Sequence, residues 1–290
     1  MRALIGRILF KNKSRKKFIP CRIPSSQVEE KVYFDNKEIT WSHCIVCHDP
    51  FYLAIYSNAP LSNQGTVTIT KGGGLATEVK VKLKESISSV HVFEITGAQC
   101  HQLPYWHQFI LQKRYFLYKK KDTFLQGMIY AATYSFPRRV IAVSYRDNSY
   151  FNIFPMDFQC FIEKDNVSIL GLRTTNTTLK KILESKKVLV SDSTSVDVNT
   201  IYDLGRNHSA APPSVDQLPF GITKSKLFDF YVPDFSASYR EFEIACHVEL
   251  GTHTMMIGSL VNSEKRTSDQ SFIHHVHFFE FVNSDYTELT

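Results

Sequence analysis

Four short stretches of this 290-residue chain hold side chains able to do chemistry. Cys44-Ile45-Val46-Cys47-His48 has the spacing of a c-type haem attachment motif. With His43 it also offers the nitrogen and sulfur groups that zinc takes. Haem attachment of this kind belongs to oxidising compartments, and structural zinc sites draw a second ligand pair from further along the chain. No second C-x-x-C follows, and the pairs His101/His107 and His247/His253 are loosely spaced and distant. The segment is also an apolar run, so two half-buried thiols on a strand is the expected role. His274, His275 and His277 form a second cluster, with His275 and His277 on one strand face. No carboxylate or Cys pattern completes a coordination shell around them, so strand histidines with one edge in solvent are expected. No metal ligand is assigned.

The third stretch, Arg173 to Thr178, places a guanidinium, four hydroxyls and an amide at a helix start. Such groups, with free backbone N–H donors, suit an oxyanion such as phosphate. An N-cap with spare polar residues would have the same composition. The fourth, Gly251-Thr252-His253-Thr254, puts His253 at a turn between two strands, where glycine lets a backbone approach closely. A tight hairpin with an exposed His is the simpler role for it. No G-x-G-x-x-G, P-loop or G-x-S-x-G elbow occurs, which argues against a Rossmann domain, a P-loop NTPase and an α/β-hydrolase.

The elements that must carry these groups are mostly strands. The chain has 22 Phe and 14 Tyr, with many Val, Ile and Thr, a composition that favours β structure. Thr66–Thr70 and Thr77–Leu83 alternate, separated by a Lys71-Gly72-Gly73-Gly74 turn. His91–Ile95, Val140–Ser144, Val167–Leu172, Val188–Val190, Tyr239–Leu250, Thr254–Val261 and Phe272–Val282 are further strand candidates. Helices are expected over 104–122, from the spacing of Trp106, Phe109, Ile110 and Lys113, and over 177–185. Residues 192–222 read as loop. A domain boundary is placed near 122, at the charged run Lys119-Lys120-Lys121-Asp122. The chain then divides into a basic, poorly structured arm (1–30), an accessory β-rich domain (31–122) and a barrel-like β domain (123–290).

Charge sharpens this division. The chain has 34 Lys and Arg against 28 Asp and Glu, a net charge of +6. Seven of those bases lie in the first twenty residues, with no acid. Removing them leaves 27 bases against 28 acids, so the body carries −1. A near-neutral body lacks the basic face of a nucleic-acid-binding fold. No apolar run approaches the roughly 20 residues of a membrane helix. The apolar stretch Ala3–Phe10 is broken by Arg7 and followed by no small-residue cleavage site, so no signal peptide is expected. Six Cys without a secretory signal fit reduced thiols and a cytoplasmic location.

The order of the pieces in 123–290 resembles the flavin reductase-like family, the FMN-binding split β-barrels. Val140–Ser144, then Asn152 and Ile153–Phe158, is similar to the family's first strand and flavin-lining loop. Asn176-Thr177-Thr178 with Ile182 is similar to its S-x-T turn, and Val188-Leu189-Val190-Ser191 to the strand that follows. Glu243-Ile244-Ala245-Cys246, Gly251-Thr252-His253 and Ile257-Gly258-Ser259-Leu260 resemble its late Glu-Cys strand, Gly-x-His turn and closing strand. The resemblance implies a mainly β fold, an FMN-binding split β-barrel with an additional N-terminal β-rich domain. It implies FMN held across a homodimer, with NAD(P)H as donor and an unidentified small-molecule or protein acceptor. Cofactor contacts would come from Asn152, Pro155, Met156, Asp157, Phe158, Gln159, Arg173, Thr175, Asn176, Thr177 and Thr178, with His253 beside the ring as the catalytic candidate. Phe154-Pro155-Met156-Asp157-Phe158 departs from the family's Thr-Ala-Ser-Ser type of loop. An Asp at the redox edge would disfavour an anionic reduced flavin unless it points elsewhere. The alternative is a non-enzymatic flavin-binding or interaction protein on the same fold.

Overall fold

A computed structural model describes residues 18–106, 108–109, 124–268 and 271–289. It is mainly β, with two seven-stranded antiparallel sheets. The first runs in the order Lys37–Glu38, Lys31–Phe34, Gln64–Lys71, Gly74–Ile87, Val90–Cys100, Phe51–Tyr56, His43–His48. The alternating segments around Val67, Ile69, Val79 and Val81 bury those side chains and leave their polar neighbours outward. Gly72 and Gly73 join the two strands at φ of 56° and 80°, a conformation that only glycine takes without strain. The second sheet runs Phe151–Met156, Ile141–Arg146, Lys187–Asp192, Ser238–Leu250, His253–Lys265, Val167–Arg173, Gln159–Ile162.

The two sheets share their cores. One apolar cluster runs from Val67, Val79 and Phe93 to Val143, Leu170 and Phe242. A second joins Cys44, Val46 and Ala54 to Ile169, Met255 and Ile257. Two glycines set how closely the sheets meet. A Cβ on Gly171 would lie 2.6 Å from the Val46 carbonyl oxygen, and one on Gly251 would lie 2.3 Å from that of Asp49. A buried polar latch also spans the two parts. Lys71 Nζ donates to Glu30 at 2.9 Å and to Glu280 at 2.7 Å. Tyr286 donates to Glu30, and Gln102 to Glu280 at 3.0 Å. Burial pushes the Glu280 carboxyl up, against the pull of Lys71.

Several expected elements differ. Residues 1–17 of the basic arm lie outside the described residues, but 18–30 are not loose. Phe18–Pro24 forms a strand on Ser271–His277, which also pairs with Arg138–Arg139. Ile19, Cys21 and Ile23 are buried there. The strand expected over Phe272–Val282 stops at His277, whose Nδ1 accepts from Phe279 N at 3.1 Å. That cap starts a short helix, Phe278–Val282. The expected loop 192–222 contains a helix, Val198–Leu204, capped by Asp197 through Asn199 N and Thr200 N. The expected flavin-lining loop is in its first part a strand, Phe151–Met156, paired with Ile141–Arg146. Of the helix expected over 104–122, residues 107 and 110–122 lie outside the described residues, as does the charged run 119–122. Gln108 N donates to Pro104 O at 3.2 Å, one helical turn. A helix at Phe124–Thr133 packs against the Val90–Cys100 strand. Among the described residues no helix is long and apolar enough to cross a membrane.

Candidate functional site

The C-x-x-C-H segment is a core strand. Cys44 and Cys47 both join the apolar cluster against Ile169 and Met255. Cys47 Sγ donates to Asp49 O at 3.4 Å and lies 3.6 Å from Thr252 Oγ1. None of the six cysteines forms a disulfide. Among the described residues no group of three or more His, Cys, Asp or Glu could hold a metal. His48 turns to an aromatic cluster, its ring 4.3 Å from Phe158 and 4.9 Å from Tyr130 by centroids.

The Thr-rich turn is fixed by donors and acceptors of its own chain. Strand Val167–Arg173 ends here and helix Leu179–Ser185 begins. Asn176 Oδ1 accepts from Thr178 N at 2.8 Å, closing a local turn. Thr178 takes the N-cap position, yet its hydroxyl makes no cap bond. Thr178 Oγ1 instead accepts from Asn152 Nδ2 at 2.8 Å and lies 2.9 Å from the Tyr150 hydroxyl. Asn207 and His208 close over this turn. The Asn207 carbonyl accepts from Asn152 Nδ2 at 2.8 Å, and the His208 carbonyl from Thr177 N at 3.1 Å. His208 Nε2 donates to Pro155 O at 2.9 Å, so its Nδ1 accepts from the Asn176 amide at 2.8 Å. Asn152, Asn176 and Thr178 are therefore buried and engaged by the fold. Arg173, Thr174, Thr175 and Thr177 are exposed, and since Thr174 is bonded to the Thr252 carbonyl, Arg173, Thr175 and Thr177 remain open to a ligand.

His253 lies directly opposite Arg173 in the ladder. Its Nδ1 is 3.0 Å from Thr252 Oγ1, and its ring is 5.2 Å from Phe158 and 5.8 Å from His48. Burial, reinforced by the Arg173 charge, pushes His253 down to about 4, so it is neutral at pH 7. A neutral ring there can accept or donate one hydrogen bond but is no reservoir of acid. His208 is lowered by the same two causes.

Asp157, beside Phe158, is engaged by two side chains, and its charge still reaches His253 and His208. Its Oδ2 accepts from His275 Nδ1 at 2.8 Å and from the Tyr134 hydroxyl at 3.1 Å. His275 Nε2 lies 3.2 Å from the Tyr202 hydroxyl, and the Tyr134 hydroxyl lies 3.5 Å from His48 Nε2. Burial alone would raise the Asp157 carboxyl, but the bond and charge of His275, with the charges of Arg138 and His48, outweigh it and hold it at about 2. Pro155 and Met156 belong to the strand, Met156 buried. Phe158 packs between His48 and His253, while Gln159 faces a separate cleft with Asp157.

The structure thus brings Arg173, His253 and Phe158 together and draws Asn152, Asn176 and Thr178 inward. Tyr134, Tyr202, Asn207 and His208 had no sequence signal. His48 and His275 did, within the C-x-x-C-H motif and the late His cluster, where the sequence favours plain strand positions over metal ligation. His274 is a core residue, pushed down to about 3 by burial and by Arg139.

No family model matches the chain, and no curated protein matches it. Solved structures resemble about half of it. The Streptomyces globisporus NADH:FAD oxidoreductase SgcE6 is 12% identical, covers 56% of this chain and 92% of its own, and has a TM-score of 0.46. The flavin reductase PheA2 is 16% identical, with coverage of 56% and 96% and a TM-score of 0.41. An FMN-binding protein from Thermus thermophilus is 15% identical, with coverage of 46% and 74% and a TM-score of 0.40. About half of this chain therefore resembles flavin reductases and FMN-binding split-barrel proteins at low identity, and a further β-rich region lies outside that resemblance.

Proposed function

We propose that this chain is a flavin-binding protein of the oxidoreductase class, with FMN lying along the edge formed by Arg173, His253 and Phe158. The observation that carries this reading is the pairing of Arg173 with His253 in the sheet. It sets one exposed guanidinium beside a neutral imidazole and an aromatic wall. A phosphate fits the outer turn, where Arg173 would meet it with Thr175 and Thr177. Phe158 and His48 would offer ring contacts, and the His253 imidazole would accept or donate a hydrogen bond at the ring edge. The carboxylate of Asp157 is engaged by His275 and Tyr134, which offsets part of its charge beside the flavin edge. When bound, the flavin supplies the hydride chemistry, and the protein need only hold and orient it. NAD(P)H as donor and a homodimer as the binding unit belong to this reading.

The test is the absorbance spectrum of the purified chain with added FMN, then with NADH or NADPH. A bound flavin that bleaches supports the reading. Protein that leaves the FMN spectrum and fluorescence unchanged defeats it. One observation favours a second reading, a flavin-binding or interaction protein without turnover. Asn207 and His208 occupy the inner donors of the turn, leaving a shallow phosphate site. Bound flavin without NAD(P)H oxidation selects that reading.

A further inference from the structure

On the other side of Asp157 lies a cleft of about 490 Å³, within the roughly 300–1,000 Å³ typical of ligand pockets. Its floor comes from the second sheet, including Gln159, Phe161, Arg240 and Phe242. Its opposite wall comes from Thr40–Cys44 and Phe136–Arg139.

The cleft has more cation than its carboxylates can answer. Asp157 is taken by His275 and Tyr134. Asp192 is taken by Arg139, at 3.2 Å, and by the Ser238 hydroxyl. Glu163 sits exposed at the rim beside exposed Lys164. Arg138 and Arg240 make no direct ion pair with a carboxylate among the described residues, although the Arg138 charge helps to hold Asp157 ionised. Arg138 is only 6% exposed. Its Nε and Nη2 donate to one acceptor, the Thr133 carbonyl, at 3.2 and 3.0 Å. Its guanidinium also lies over the Tyr134 ring, 4.6 Å from the centroid, and its fork of five N–H groups keeps donors to spare. Arg240 rests on the Phe161 ring, 4.8 Å from its centroid, and makes no ion pair among the described residues. The adjacent His43 and His274 are neutral, pushed down to about 4 and about 3 chiefly by burial, so they add donors or acceptors but no charge.

The remaining walls are aromatic. Phe136 and Phe242 line the space, and Trp41, 60% exposed, stands at its mouth with its ring 5.6 Å from Phe136. The Gln159 amide, also in the wall, has no hydrogen-bond partner among the described residues. Two guanidiniums with donors to spare, flat apolar walls and one unpartnered amide define a ligand by their chemistry.

We propose that this cleft binds a small aromatic molecule bearing one oxyanion group, carboxylate or phosphate, with Arg138 and Arg240 on the anion and Phe136, Phe161 and Phe242 on the ring. The site is separate from the flavin edge and does not rest on the flavin reading.

The experiment titrates the full chain with phenyl phosphate, benzoate, inorganic phosphate and phenol, by calorimetry and tryptophan fluorescence. Saturable binding of phenyl phosphate or benzoate is expected, and the tighter of the two identifies the oxyanion. Inorganic phosphate and phenol should each bind about tenfold more weakly or not at all, because each lacks half of the recognition. Arg240→Ala should weaken the aromatic anion about tenfold or more, and Arg240→Lys, which keeps the charge but loses the fork, by less. Trp41→Phe should silence most of the fluorescence response while calorimetry still reports binding. Arg173→Ala, which should weaken FMN, should leave the affinity of this cleft for the aromatic anion as it was. No saturable binding of either aromatic anion overturns the proposal. So does an affinity that survives both Arg240 substitutions, or one lost in Arg173→Ala.

Discussion

Asp157 and His275 lie 118 positions apart, and the imidazole Nδ1 of one donates to the carboxylate Oδ2 of the other at 2.8 Å. The bond ties the strand Ser271–His277 to the end of the strand Phe151–Met156, just below the proposed flavin edge. Because it favours the ionised carboxylate, it has a pH signature. The folded-state value of Asp157 is about 2, below its ordinary 3.8. The stabilisation is complete above the ordinary value and is lost as pH falls toward 2. The shift corresponds to about 2 kcal/mol. Asp157→Asn should lose about that much at pH 6 and show a flatter stability between pH 4 and pH 2. Urea unfolding at pH 6 and pH 3 checks this. Parallel curves for the two proteins would mean the pair contributes nothing.

The Lys71 latch gives a second expectation. Glu30 and Glu280 are almost fully buried and both face one ammonium. Lys71→Met leaves two buried carboxylates without their cation, which should cost about 3–5 kcal/mol. Adding Glu280→Gln to that variant should recover at least about 1 kcal/mol, because one of the stranded charges is gone. Strictly additive losses in chemical denaturation would exclude the coupling.

These contacts explain how much of the protein could be read in advance. The turn Lys71–Gly74 and the strands beside it were legible, because alternation and positive-φ glycine are local signals. Glu30, Glu241 and Glu280 look like surface acids in the sequence, yet each is buried. Glu241 accepts from Ser225, Phe228 N, Leu227 N and Asn262. Their partners lie elsewhere in the chain, so no local pattern marks them. The strand Phe18–Pro24 was hidden for the same reason, since its partner is some 250 residues away. Phe278–Val282 misled in the opposite way. An apolar run after a strand looks like more strand, and only the His277 cap turns it into a helix. Arg173 and His253 were both candidates in the sequence, but their adjacency comes from strand register. The closure by Asn207 and His208 was not legible, because 192–222 is polar and proline-bearing and carries no periodicity.

Sheet-to-sheet contact gives a third expectation. At Gly171 the obstacle to a side chain is the Val46 backbone, which cannot swing aside as a flexible side chain would. Gly171→Ala should force the sheets apart locally and lower stability by about 1–3 kcal/mol, the usual cost of overpacking. Gly97→Ala is the control, since its new methyl would meet only Lys80 carbons at an ordinary 3.8 Å. Thermal denaturation of the two variants should separate them clearly. Equal midpoints would show that the Val46 segment yields easily.

Thr178 and Arg173 lie five residues apart in one turn, and the structure assigns them opposite duties. Thr178 Oγ1 is sealed between Asn152 and Tyr150. Thr178→Val keeps the shape but leaves the Asn152 amide without that acceptor, so stability should fall by about 1–3 kcal/mol. FMN affinity should barely move, because that hydroxyl is not open to a phosphate. Arg173 is exposed, and Arg173→Ala should leave stability within about 0.5 kcal/mol. FMN affinity should fall about tenfold through loss of a charge-assisted contact. Fluorescence titration with FMN and urea unfolding on both variants give the four numbers. If Thr178→Val weakens FMN as much as Arg173→Ala does while the fold holds, the inner turn opens to the phosphate and the Asn207–His208 closure must move aside when flavin binds.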